Sequence, residues 1–481
     1  MTTVVDQAEL GNMVLAHPYI GLQTYEFFEG DPIQRAAAKA AFLAGTANPH
    51  IEYPKLDRAD ISQREQSLGQ LFVTAQNAQG LGSDAREAYE GTIGYRRREA
   101  QFLLQATDLN QPQQTDDQFA ENAQLYQQTN ESLYGVYRPE IFAGLVNELE
   151  KMVGGVEYKG QAREIYDELA ESFFGAHGDT TVAPLPTLSE DARGYLAEMV
   201  DKTFQPERQA VTRGRQALLA AGKDAFEPDD IVAVMQDAID SRGLDNLVKA
   251  FKAPGGALSW SQEDKGVRVG DKRSPIKTDD ALFGVAVHEL GWHGLKYVLG
   301  RMSNIAVMGN GLYTTFDTGE APDYLTFEEG AASVLQNVAA KTDTPWTVVN
   351  FRGTLNNALA YVEKDFRGVF EVTWRLLALL EAKKSGGQLQ EQAIEEVRSQ
   401  AYDDVLRIFR GAPIDRTAEL DFPVTYNKDL SYLLGKVSAV TLWNDNVGND
   451  SMFYFLLTGK FDPTNKRQLA IAHTATGGTY V

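Results

Sequence analysis

The chain has 481 residues, no cysteine and a formal net charge of −22. That length suffices for one large domain or two. The missing thiols exclude disulfides and thiolate metal sites, and the negative charge disfavours nonspecific binding to nucleic acid or anionic membranes.

No apolar run approaches the length of a membrane span. The first 21 residues show no basic region followed by an apolar stretch, so the expected place is the cytoplasm. Residues 1–30 carry few periodic signals. Residues 33–44 predict a short Ala-rich helix, and 48–54 an extended segment, because Pro54 disfavours helix at Tyr53. Residues 62–79 and 83–106 predict helices, with Arg96, Arg97 and Arg98 on a solvated, salt-bridged face. Residues 108–129 are rich in Gln, Asn and Asp, as a loop or a polar helix, and form the strongest linker candidate. The resulting division is a helical region over 1–130 and a second domain over 131–481, or one continuous domain from about 35 to 460. Helices follow over 139–153, 161–174, 189–222 and 228–243. His50, His177 and His473 read as surface or structural histidines.

Residues 257–260 and 266–270 predict strands, the second alternating with period two. They form either a small structural hairpin or an edge that holds an extended peptide by main-chain hydrogen bonds. A buried helix of roughly five turns follows over 279–299, with Thr278 as N-cap and Asp279 and Asp280 in its first turn.

That helix contains His288-Glu289-Leu290-Gly291-Trp292-His293, the pattern H-E-x-x-x-H. Two neutral imidazoles and one further ligand hold Zn²⁺, and a carboxylate beside them takes a proton from an activated water. On an ideal α-helix, residues five apart lie about 140° around the axis and cannot share a metal. A π-turn absorbs the extra residue, and Gly291 and Gly294 ease such a distortion.

The third ligand comes from Glu328 or Glu329, at the start of a helix reaching about 341. The competing reading is a capping box, with Thr326 as N-cap and Glu329 at the third helical position. Beyond it, 354–384, 389–409, 427–440 and 450–457 predict helices, and Gly477 and Gly478 a loose tail.

The chain resembles a family of proteins with a QEGLA motif that includes the microtubule-associated tyrosine carboxypeptidases. The resemblance rests on 288–293, on Glu329-Gly330-Ala331-Ala332, and on Phe226-Glu227-Pro228-Asp229-Asp230-Ile231. It extends to Arg407-Ile408-Phe409-Arg410-Gly411 and to Lys428-Asp429-Leu430-Ser431-Tyr432-Leu433-Leu434-Gly435. Trp292, Lys296 and Ala331 depart from the family pattern. The stretched histidine spacing is also similar to that of dipeptidyl peptidase III.

The resemblance implies a zinc carboxypeptidase that removes a C-terminal, aromatic residue from a peptide or protein tail. It favours Glu329 as the ligand, because Glu329 directly precedes Gly330, and leaves Glu328 to hold a ligand imidazole. Glu289 is the general base. Lys428, then Lys296, are the candidates for binding a terminal carboxylate. The expected fold is predominantly helical α+β, with a zincin-like catalytic core and a small β-sheet. The rival readings are a non-haem Fe(II) enzyme with a 2-His-1-carboxylate site and a peptide-binding protein without turnover.

Overall fold

The computed structural model describes residues 5–21, 23–179, 181–314, 323–342, 348–363 and 365–477. Helices dominate, and one three-stranded sheet lies among them. Most expected helices form at or near their expected bounds. Residues 139–153 and 450–457 match, as Pro139–Val153 and Asp450–Leu457. The polar stretch after 108 is helical over Asp116–Tyr134, started by a reciprocal capping box between Thr115 and Gln118.

Four expectations change. The pattern over 189–222 divides into Glu190–Thr203 and Gln205–Ala220. Pro206 has no N–H to donate and suits a first turn better than a helix interior. Likewise 354–384 divides into Val348–Glu363 and Phe366–Lys384, the second capped by Asp365, which accepts from the Gly368 amide at 2.7 Å. Helices Gln7–Ala16 and Lys466–Ala475 form near the two ends, where little structure was expected. Arg96 is buried rather than solvated, held by Glu99 at 2.6 Å and the Tyr313 hydroxyl at 3.1 Å.

The sheet has β1 (Lys249–Ala253), β2 (Leu258–Ser261) and β3 (Gly266–Gly270). Its order is β1-β3-β2, with β1 parallel and β2 antiparallel to β3, so β2 is an edge strand. β2 and β3 pack beside the helix that carries the histidines.

Two hydrophobic clusters make the core. One gathers the sheet, the histidine helix and the helix Leu325–Ala339 around Leu290, Trp292 and Phe327. The other gathers helices around Phe102, Tyr126 and Phe370. Both draw on residues from either side of position 130, so neither core stops there. The helix Leu430–Asp445 joins them, with Leu433 in one cluster and Val440 in the other. No helix among the described residues is long and apolar enough to cross a membrane.

Candidate metal centre

Thr278 caps the histidine helix by accepting from the Ala281 amide at 3.2 Å. The helix runs as α over Asp279–Ala286, as π over Val287–Gly294 and as α again over Leu295–Met302. The widened turn coincides with the motif, as the five-residue spacing requires. It brings the rings of His288 and His293 to 4.9 Å between centroids. Gly291 has a second reason to lack a side chain: a Cβ there would lie 2.6 Å from the Phe204 ring.

The helix Leu325–Ala339 supplies the carboxylates. It begins before Thr326, and the competing capping box does not form; Asp323 accepts from the Thr326 amide at 3.2 Å instead. Glu329 is therefore available to the cleft. Gly330 serves helix crossing. A Cβ on Gly330 would lie 1.9 Å from the backbone of Gly435, so the helices Leu325–Ala339 and Leu430–Asp445 touch there through two glycines.

His288 Nε2 and Glu329 Oε2 are 3.9 Å apart, as are His293 Nε2 and Glu329 Oε1. One ligand atom from each of His288, His293 and Glu329 falls within 4.8 Å of the others, and this group could hold a metal ion. Tetrahedral zinc with bonds of about 2.0–2.1 Å sets its ligands about 3.4 Å apart, so donors that lie within 4.8 Å of one another need close by up to about 1.4 Å. Burial pushes the His288 pKa down to about 3, which keeps its imidazole neutral and able to coordinate.

Glu328 turns away from this point. Its Oε1 meets His293 Nδ1 at 2.9 Å and its Oε2 meets Lys296 Nζ at 2.5 Å. Burial opposes its charge, but Lys296 and His293 bring its pKa to about 2. Burial likewise opposes the charge on His293, yet the Glu328 hydrogen bond and Glu329 outweigh it and raise its pKa. A carboxylate on the outer nitrogen fixes the ring and leaves Nε2 facing inward. Lys296 is wholly buried in this bond and in contact with the Trp292 ring, 4.1 Å from its centroid, so its ammonium is engaged away from substrate.

Glu289 lies beside the ligands, Oε1 3.9 Å from His288 Nε2. Its Oε2 accepts from the Trp260 backbone amide of β2 at 2.6 Å. Burial pushes its pKa up to about 7, matched to proton exchange near neutrality.

These groups line a cleft of about 500 Å³ between the two core clusters. The stretch 426–432 supplies Tyr426, Lys428, Asp429, Ser431 and Tyr432 to its wall. Lys428 sits over the Tyr25 ring at 4.5 Å and reaches Gln23 Oε1 at 3.4 Å; burial pushes its pKa down to about 8. Arg407 is bound to Asp429 by two bonds, at 2.5 and 2.8 Å. Arg410 and Lys460 also line the cleft and were not picked out as site residues from the sequence. Arg410 lay within a stretch already noted, whereas nothing local to Lys460 marks it. The other histidines have local roles: His17 bonds Ser67 at 3.0 Å, His50 pairs with Asp415, His177 packs on Phe142, and His473 stacks on Phe455.

Comparison with family models, with curated proteins and with solved structures gives no match for this chain.

Proposed function

We propose that the protein is a zinc-dependent metallopeptidase with a zincin-like core, acting as a carboxypeptidase on the C-terminal tail of a peptide or protein. His288, His293 and Glu329 hold the ion, and Glu328 and Lys296 fix His293. Zinc, when bound, would polarise the scissile carbonyl and lower the pKa of water toward 7.

The observation that carries this reading is the placement of Glu289, next to the donor atoms and tied to an edge strand. A 2-His-1-carboxylate iron site has no need of such an acid, whereas hydrolysis needs a base there. Glu289 takes the proton from water as the oxygen adds to the carbonyl carbon, then passes it to the leaving amine. Edge strand β2 offers main-chain groups to an extended peptide. Lys428 receives the terminal carboxylate, and the aromatic wall of Tyr25, Tyr426 and Tyr432 favours an aromatic last residue.

The test is a peptide library varied at the C-terminus, incubated with the zinc-loaded protein and read by mass spectrometry. Loss of one C-terminal residue, abolished by a chelator, is the expected result. Internal cleavage would replace the carboxypeptidase reading with an endopeptidase, and an untouched library would refute both.

A further inference from the structure

Resting on the hydrolase reading, we propose that Lys460 is a catalytic residue, whose ammonium hydrogen-bonds the scissile carbonyl oxygen as negative charge develops on it. Lys460 is held in register with the segment that follows the histidine helix. Its amide donates to the Met308 carbonyl at 2.8 Å, and its carbonyl accepts from the Leu312 amide at 2.9 Å. Gly459, beside it, packs directly on Met308. The side chain is 3% exposed, and it lines the cleft with Glu289, His293 and Glu329.

Two buried lysines, Lys296 and Lys460, act electrostatically on the Glu328 carboxylate, and they differ in one respect. Lys296 is bonded to it at 2.5 Å. Lys460 forms no ion pair with any carboxylate among the described residues. A desolvated cation without a carboxylate bonded to it is unfavourable for folding, and such groups concentrate at functional sites.

The charges explain what it is for. Glu289, Glu328 and Glu329 bring three negative charges to the centre. A divalent ion held by His288, His293 and Glu329 would, together with Lys296, balance them. Lys460 is then a surplus positive charge beside a substrate carbonyl that is neutral before reaction. Addition of water moves the carbonyl π pair onto oxygen, and the water's proton goes to Glu289. The new negative charge is what the surplus cation complements, so it acts on the transition state more than on the bound peptide. As the intermediate collapses, the carbon–nitrogen bond breaks and Glu289 returns the proton to the amine. Lys460 keeps its own proton throughout.

Its position fits that task. The ammonium lies 5.7 Å from the centre of the Trp260 ring, while the Trp260 amide binds Glu289. Base and cation thus stand around one residue of the edge strand.

The test uses full-length protein with Lys460→Met and Lys460→Arg. In the first arm, cobalt replaces zinc, and visible absorption follows titration with inorganic phosphate, a tetrahedral oxyanion. Phosphate affinity in Lys460→Met should fall about 10- to 100-fold, and Lys460→Arg should recover part of it. Imidazole, which coordinates as a neutral ligand, should bind both variants as it binds the wild type. In the second arm, kcat on a cleaved library peptide should fall about 10²–10³-fold in Lys460→Met, with KM little changed. Equal phosphate affinity and equal kcat in Lys460→Met and wild type would overturn the role of Lys460 alone. A wild type that cleaves no peptide would overturn the hydrolase reading and this role together.

Discussion

Glu328 grips the Nδ1 edge of His293 at 2.9 Å, while Glu329, its neighbour in sequence, stands 3.9 Å from Nε2 of the same ring. Adjacent helical residues point about 100° apart, so the two acids divide the work around one imidazole. Glu328→Gln keeps the shape but loses the charge that orients His293, and zinc affinity should fall roughly 10- to 100-fold. Glu329→Gln removes a ligand and should weaken zinc further. Competitive zinc titration of both variants checks the division. Loss of zinc in Glu328→Gln with retention in Glu329→Gln would reverse it.

Lys296 should prove structural. Lys296→Met leaves Glu328 buried beside an imidazole without its cation, and should cost about 3–5 kcal/mol of stability. Urea unfolding of the zinc-loaded protein measures this. A variant as stable as wild type would show that the pair contributes nothing to the fold.

Lys428 should affect binding more than chemistry. Lys428→Met should raise KM about 10-fold or more, since a hydrogen bond to a charged group is worth roughly 1.5–3 kcal/mol. A kcat that falls while KM stays fixed would place Lys428 at the reacting carbonyl instead.

The contact between Gly330 and Gly435 admits no methyl group. Alanine is normally better than glycine in a helix by about 1 kcal/mol, but Gly330→Ala must push the two helices apart and should destabilise by about 1–3 kcal/mol. Zinc should bind more weakly as Glu329 shifts. Calorimetric unfolding that gives a higher Tm for Gly330→Ala would contradict the packing.

Lys460 makes stability depend on pH. Its folded pKa, pushed down to about 8 by burial, lies below the unfolded value near 10.5. A depressed folded pKa contributes stability that is present above the unfolded value and is lost as pH falls through the folded one. Metal-free Lys460→Met should therefore match wild type above about pH 10.5 and exceed it below about pH 8, by an amount of order 3 kcal/mol. Denaturant titrations between those limits check it; a constant difference across them would show that the lysine is not desolvated.

The site was legible where local spacing constrains geometry. Histidines five apart can meet only through a wider turn, and the π segment Val287–Gly294 supplies it. Thr278 and the alternation of 266–270 likewise carry their own structural reasons. What escaped depends on distant partners. β1, with the sequence Lys-Ala-Phe-Lys-Ala, has no alternation and is a strand because β3 pairs with it. The capping box at Thr326 and Glu329 was locally sound, but Asp323 took the amide first. The reason for Gly330 lies on Gly435, far along the chain. Lys460 reaches the cleft only through backbone bonds to Met308 and Leu312, which no pattern around 460 encodes.

The most direct measurement is the turnover of zinc-loaded Glu289→Gln. The amide keeps the size of the side chain but cannot take a proton from water. One zinc per chain should remain, because His288, His293 and Glu329 are intact, and kcat should fall about 10²–10⁴-fold. Near-normal turnover at full zinc occupancy would contradict the assignment of Glu289 as the base of a metal-dependent hydrolysis.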